Sequence, residues 1–188
     1  MPRCLVVSGL PCAGKSTLAR AIAARFEWPL LAKDAYKESL FDRLGVADRR
    51  WSARVSRLAW SLLLADAGAH LASGRSCVLE GNFRAAQCAA LEALATIEHG
   101  VFVEARLTAR ADVLSARYRA RALDGTRHAG HVDLAALPEI EREFAQPPTA
   151  KFGAGRVFEV DTTSGIDFEG IIARLETVLG PPERASAR

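Results

Sequence analysis

Residues Gly9-Leu-Pro-Cys-Ala-Gly14-Lys15-Ser16 satisfy the pattern GxxxxGK[ST] at every fixed position. They are preceded by the apolar, β-branched run 4–8, which reads as a buried strand. Residues 15–26 follow as a helix with Leu18, Ala19, Ile22, Ala23 and Phe26 on one face. Strand, glycine-bearing loop and helix in that order restrict the chain to a fold that can hold a polyphosphate. Glycines let the backbone bend so that its N–H groups converge on the anion, and the helix start adds the positive end of its dipole. In this reading Gly9, Cys12, Ala13 and Gly14 contact the nucleotide. Lys15 reaches the outer phosphates, the Ser16 hydroxyl ligates Mg²⁺, and Thr17 offers a second hydroxyl.

The rest of the chain alternates between strand and helix. Further strands are expected at 29–32, 76–80, 101–105 and 156–160, and further helices at 35–44, 52–73, 84–94, 109–123, 138–144 and 167–179. A polar turn is expected over 45–50, a mobile loop over 124–133, and a disordered tail over 181–188. Alternation of this kind implies a parallel sheet covered on both faces, with ligands beyond the carboxyl ends of its strands. That edge would gather the loop at 9–14, Asp34, Glu80 and Thr162. No repeat or linker is visible, so residues 1–180 are read as one domain.

Composition excludes more than it selects. The net charge of +3 is too small to imply nucleic-acid binding by itself. The four cysteines have no zinc spacing, and Cys4 and Cys77 sit in apolar runs as reduced core thiols. The first residues do not read as a signal peptide, and the apolar run 58–64 is too short to cross a bilayer, so a cytoplasmic protein without membrane association is expected. Nothing in the sequence speaks to oligomeric state.

Asp34 is the strongest candidate after Lys15. A kinase acting on an alcohol needs a carboxylate to orient the hydroxyl and take its proton, and Asp34 would lie at the tip of the second strand beside the phosphate loop. It also reads as a cap for the helix at 35–44. Lys33 and Lys37 flank it and can keep it ionised or hold an anionic part of the acceptor. Glu80, at the end of the third strand, can hold a water on Mg²⁺ or bind acceptor; Asn82 and Arg84 follow it. Arg117 and Arg121 share a helix face, and Arg127 lies in the loop beyond, so residues 117–133 read as a cationic lid with Gly125 and Gly130 as hinges. His128 and His131 lack metal spacing, and Trp51 and Trp60 could line an acceptor pocket. Thr162, after the last strand, would lie near the nucleobase.

The loop alone leaves the reaction open. No NKxD base-reading motif is present for a GTPase, and the third strand ends in one carboxylate rather than the two of a hexameric ATPase. The acceptor alternatives are a small-molecule hydroxyl (a sugar, nucleoside or antibiotic), the 5′-hydroxyl of a nucleic acid, or a nucleotide phosphate; a nucleotide-binding module without catalysis is the non-enzymatic alternative.

GLPCAGKSTLAR, AKDAYKESLF, VLEGNF, RYRAR and FEVDTT, in that order, resemble the P-loop kinases of the adenylate kinase-like group over roughly residues 3–180. The likeness extends to predicted bacterial kinases of the AAA_33 type, to chloramphenicol phosphotransferase-type enzymes and to polynucleotide kinase domains. It implies a P-loop NTPase α/β fold: a three-layer sandwich on a five-stranded parallel sheet of order 2-3-1-4-5, with an arginine-rich helical lid. It further implies ATP and Mg²⁺ as cofactors and Asp34 as general base. Arg117 and Arg121 would be nucleotide contacts, with Thr162 beside them. Asp34-Ala-Tyr-Lys37 is similar to the D-x-Y-[RK] arrangement of polynucleotide kinases, which makes Lys37 an acceptor contact on the phosphate side; Glu80, Asn82 and Arg127 are expected as further acceptor contacts from their own positions in the chain. Lys37 stands where those kinases usually carry Arg, and Glu80-Gly81-Asn82 replaces an Asp-Thr-Asn-like stretch. No basic channel with interleaved aromatics accompanies the motif, so a small-molecule acceptor ranks ahead of a nucleic acid.

Overall fold

A computed structural model describes residues 1–146, 152–153 and 155–180. Its elements run β1 (Arg3–Gly9), α1 (Lys15–Phe26), β2 (Leu30–Ala32), α2 (Lys33–Leu44), α3 (Arg49–Ala72), β3 (Cys77–Glu80), α4 (Ala85–Glu98), β4 (Val101–Thr108), α5 (Ala111–Asp124), a short 3-10 turn (Ala129–His131), α6 (Asp133–Phe144), β5 (Arg156–Asp161) and α7 (Phe168–Leu179). The strands form one parallel sheet, as their alternation with helices predicts, in the order β2-β3-β1-β4-β5 that the resemblance implies.

Strand alternation explains the three layers. Leu5 and Val7 of β1, with Val78, Val103, Ala105 and Leu107, face Leu18, Ile22 and Phe26 of α1, Leu114 of α5, Ile140 of α6 and Leu175 of α7. Cys4, Val6, Leu31, Cys77, Leu79 and Phe102 point the other way, onto Leu63, Ala67 and Leu71 of α3 and Leu91 of α4. The four cysteines are free, and Cys4 lies opposite Cys77 in the β1–β3 register.

Register then fixes the business edge. Glu80 stands opposite both Val7 and Ala32, and Gly9 stands opposite Leu107. The last residue of β3 is therefore flanked by the start of the phosphate loop on one side and by Lys33 and Asp34 on the other.

Several boundaries differ from expectation for identifiable reasons. Helix α3 begins at Arg49 rather than 52, because the Asp48 side chain accepts from the Trp51 N–H and caps it. Strand β4 continues to Thr108 rather than 105: Glu104 and Arg106 look like strand-breaking charges but neutralise each other inside the sheet. Helix α6 starts at Asp133 rather than at 138, with Pro138 inside it. The expected tail at 181–188 lies outside the described residues. Among the described residues, no helix is long and apolar enough to cross a membrane.

Candidate active site

The loop after β1 has the shape its glycines foretell. A Cβ on Gly9 (φ 137°) would stand 2.3 Å from the Leu107 carbonyl oxygen, so only glycine lets β1 turn so close to β4. Gly14 (φ 89°) precedes α1 and would collide with Ile166 if it carried a side chain. Cys12 takes a left-handed φ of 63° without being glycine, a strained backbone at a ligand cradle. The Lys15 ammonium donates to the Leu10 carbonyl at 2.9 Å and folds over the loop. Burial pulls Lys15 below its ordinary pKa, while Glu80 and Asp34 oppose that pull.

Glu80 is 5% exposed and accepts a hydrogen bond from Ser16. Burial raises its pKa, with Lys15 working the other way. Ser16 and Glu80 thus present hard oxygen donors side by side, the donor chemistry magnesium takes when it also keeps waters and phosphate oxygens. The residues present fit that ion.

Asp34 sits in the first turn of α2, one residue inside it. The N-terminal flanking residue of that helix is Ala32, which makes no side-chain cap, so the capping role read from the sequence is corrected. The carboxylate accepts from Lys33 Nζ at 3.1 Å and from the guanidinium of Arg127. Burial works against its charge, yet Lys33, Arg127 and then His131 hold it well below the usual carboxylate range.

These groups share one cavity of about 540 Å³. Of the predicted site residues, Cys12, Gly14, Lys15, Ser16, Thr17, Asp34, Lys37, Glu80, Asn82, Arg121 and Arg127 line it. Gly9, Ala13, Arg117 and Thr162 do not, and they act one step back. Thr162 is buried, and its hydroxyl lies 3.0 Å from both the Ala13 and the Thr108 carbonyl oxygens, which share its one proton. Arg117 donates to the Thr162 carbonyl at 2.8 Å and reaches the Cys12 carbonyl at 3.5 Å. Arg117 therefore fastens the β5–α7 connection to the phosphate loop instead of pointing into the cavity beside Arg121.

Arg127 bridges Asp34 and Asp133, the latter at 2.6 Å. Arg121 Nε lies 3.7 Å from Asp133, an ion pair without a hydrogen bond, and the guanidinium stands 4.9 Å from the centre of the Tyr118 ring. The stretch 124–133, expected as a mobile hinge loop, is instead pinned. His128 meets Asp42 at 3.2 Å, His131 meets Glu38 at 2.8 Å, and Ser52 donates to the Gly130 carbonyl at 2.8 Å. A Cβ on Gly130 would lie 2.2 Å from the Phe41 ring, so this glycine serves close packing and is no hinge. Gly125, at φ 68° with open space around it, ends α5.

Sequence reasoning missed Asp133 and Tyr118, both lining the cavity. The sequence places Asp133 at the end of a loop, whereas it stands in the first turn of an amphipathic helix, the signal that marks it. Trp60 lines the cavity against Phe83, with ring centres 4.8 Å apart, whereas Trp51 bonds the Gly45 carbonyl outside it. Asn82 and Arg84 both reach Glu143 of α6.

Comparison with known proteins bears on this arrangement. The AAA domain family model AAA_33 matches residues 5–147. A candidate kinase from Chloroflexus aurantiacus is 35% identical, with 94% of this chain and 97% of that one covered and a TM-score of 0.79. A gluconokinase from Sinorhizobium meliloti superposes at TM-score 0.53 with 22% identity and 95% of each chain covered. The tunicamycin resistance protein of Deinococcus radiodurans does so at 0.57 with 12% identity, covering 96% of this chain and 97% of its own. The last two show the fold alone. A search of curated proteins found no significant match.

Proposed function

The chain belongs to the AAA_33 family, and from that premise we propose that it is an ATP-dependent kinase transferring the γ-phosphate to a hydroxyl of a small molecule. The observation that carries this reading is a single cavity holding the phosphate-loop groups Lys15 and Ser16, the carboxylate of Glu80, and the carboxylate of Asp34. The 35% identical candidate kinase supports it, and the fold is one that the gluconokinase neighbour shares.

In this reading residues 1–180 work as one kinase domain. Gly9, Cys12, Ala13, Gly14, Lys15, Ser16 and Thr17 bind the phosphates, while Arg117 and Thr162 hold the base-side connection in place. Ser16 would ligate magnesium, with Glu80 or Asp34 reached through water; the ion, when bound, offsets phosphate charge. Asp34 orients the acceptor hydroxyl and takes its proton as the oxygen bonds the γ-phosphorus. The bond from that phosphorus to the β–γ bridging oxygen breaks and ADP leaves. Arg121 and Arg127, on the lid segment 117–133, supply cationic donors for charge developing on the transferred group. Lys37, Glu80 and Asn82 contact the acceptor.

The test is transfer of radiolabel from γ-labelled ATP with magnesium to a panel of hydroxyl compounds. Asp34→Asn is expected to keep ATP binding and lose turnover by about a hundredfold or more; near-normal turnover would remove the base role. The Asp34-x-x-Lys37 pair on one turn of α2 favours a polynucleotide 5′-hydroxyl as the second reading, and an oligonucleotide arm in the same assay decides between them.

A further inference from the structure

Asp133 opens α6 and follows Val132, whose φ of 49° is left-handed although its side chain is β-branched. A β-branched residue in that region stores strain, and such strain gathers at functional sites. Asp133 does not serve its own helix: among the described residues, no backbone N–H of α6 donates to its carboxylate. Instead Oδ1 accepts from Arg127 Nη1 at 2.6 Å and from the Tyr118 hydroxyl at 3.2 Å. Oδ2 is buried, takes no hydrogen bond, and faces Arg121 Nε at 3.7 Å. The Arg121 guanidinium rests over the ring of the same Tyr118. One carboxylate and one phenol therefore fix the places of both arginines.

That pair of arginines stands close to the phosphate loop. The charges of Arg121, Arg127 and Asp133 all reach Cys12, and the charge of Arg121 reaches Lys15. Two guanidinium groups repel each other, and a carboxylate set between them offsets the repulsion while leaving the cavity a net positive charge. Arg127 uses two edges at once: Nη1 is on Asp133 and Nη2 is on Asp34 Oδ2. Lys33 holds the other oxygen, Oδ1, of Asp34. Both oxygens of the proposed base are thus occupied by cations before any ligand arrives.

We propose that Asp133 is the positioning residue for Arg121 and Arg127: it seats them as a pair above the phosphate loop and keeps hold of Arg127 when a γ-phosphate draws it off Asp34. The proposal rests on the kinase reading. With Nη1 retained by Asp133, Arg127 pivots and does not depart. Nη2 is the edge that moves from Asp34 Oδ2 to a γ-phosphate oxygen. Its departure uncovers the carboxylate oxygen at which a hydroxyl can be received, so nucleotide binding and release of the base become one event. Asp133 itself acts only through the arginines. Donors held in place beforehand need little rearrangement when charge develops on the transferred group.

The experiment compares the affinity of the full chain for ADP and for the non-hydrolysable ATP analogue AMPPNP, both with magnesium, by titration calorimetry. The ratio of the two affinities isolates the γ-phosphate; a merely structural role would weaken both nucleotides alike and leave the ratio unmoved. The wild type should bind the analogue about tenfold or more tighter than ADP, the scale of charge-assisted hydrogen bonds. Asp133→Asn should bring the ratio to within about threefold of one and change ADP affinity by less than about twofold, and Asp133→Glu should restore part of the preference. Tyr118→Phe keeps the ring under Arg121 and removes the hydroxyl; it should cut the ratio by about two- to fivefold and decides the matter if Asp133→Asn does not fold. The losses in Asp133→Asn and Arg127→Gln should fall short of multiplying when the two are combined, as expected when one residue acts through the other. A wild type without γ-phosphate preference, a preference that survives Asp133→Asn, equal loss for both nucleotides, or losses that multiply in full overturns the proposal and leaves the kinase reading standing. Failure of the wild type to bind either nucleotide removes the kinase reading, and the proposal with it.

Discussion

Arg127 lies against Asp34 and holds it in an ion pair while its other nitrogen grips Asp133. The residue proposed to accept a proton is thus clamped by a residue proposed to stabilise the transferred phosphoryl group. Removing the clamp should let the Asp34 pKa climb back toward the ordinary carboxylate value. In Arg127→Gln the acid limb of the kcat/KM–pH profile is expected at higher pH than in the wild type, with turnover lowered. An acid limb that stays where it was would separate Arg127 from the chemistry of Asp34.

Acid should loosen the fold through His131. Burial pushes its pKa down to about 3, against the Asp34 charge, which pulls it up. In the unfolded chain the ring titrates near the ordinary value of about 6.5. Between those two values the unfolded state binds more protons, so stability falls as pH drops from about 6.5 toward 3. Moving from pH 6.5 to pH 5 costs about 2 kcal/mol from this group. Glu38, whose pKa burial raises, pulls the other way at the acid end. Urea midpoints at several pH values should show the slope, and His131→Gln should flatten it.

Gly130→Ala places a methyl 2.2 Å from the ring of Phe41. Overpacking of that kind destabilises by about 1–3 kcal/mol. A fall in melting temperature that Phe41→Leu partly rescues is expected; an unchanged midpoint would mean the 128–131 segment yields freely.

Beneath the phosphate loop, Ser8 donates to Glu104, and Arg106 clamps the same carboxylate with one nitrogen at 2.7 Å. Glu104 is 3% and Arg106 7% exposed. Glu104→Leu alone leaves the buried guanidinium with only the exposed Glu159 carboxylate at 3.8 Å and should cost about 3–5 kcal/mol in chemical unfolding, whereas Glu104→Leu with Arg106→Met should recover most of it. Equal losses in the single and double variants would argue that the two charges do not depend on each other.

Much of this architecture could be read from residue order. The glycine loop stands where a continuous apolar run gives way to a 3.6-residue period, and the parallel-sheet rule then brings Asp34 and Glu80 to the same edge as Lys15. What escaped depends on partners distant in sequence. Arg106 looks like the end of a strand until Glu104 and the neighbouring strand neutralise and bury it. Gly130 looks like a hinge until Phe41, from another helix, fills the space beside it. Arg117 shares a helix face with Arg121, but the Thr162 and Thr163 carbonyls that capture it come from the far end of the chain. Lys37 can be placed beside Asp34 by spacing, yet its burial depends on Ser52 and Phe41.

The link from Arg117 through Thr162 to Ala13 has a further consequence. Both the turn that would meet a nucleobase and the one that would grip its phosphates are tied into a single unit by the chain's own hydrogen bonds. An arriving ligand then meets a socket already shaped, and little of its affinity is lost to arranging backbone at the moment of encounter.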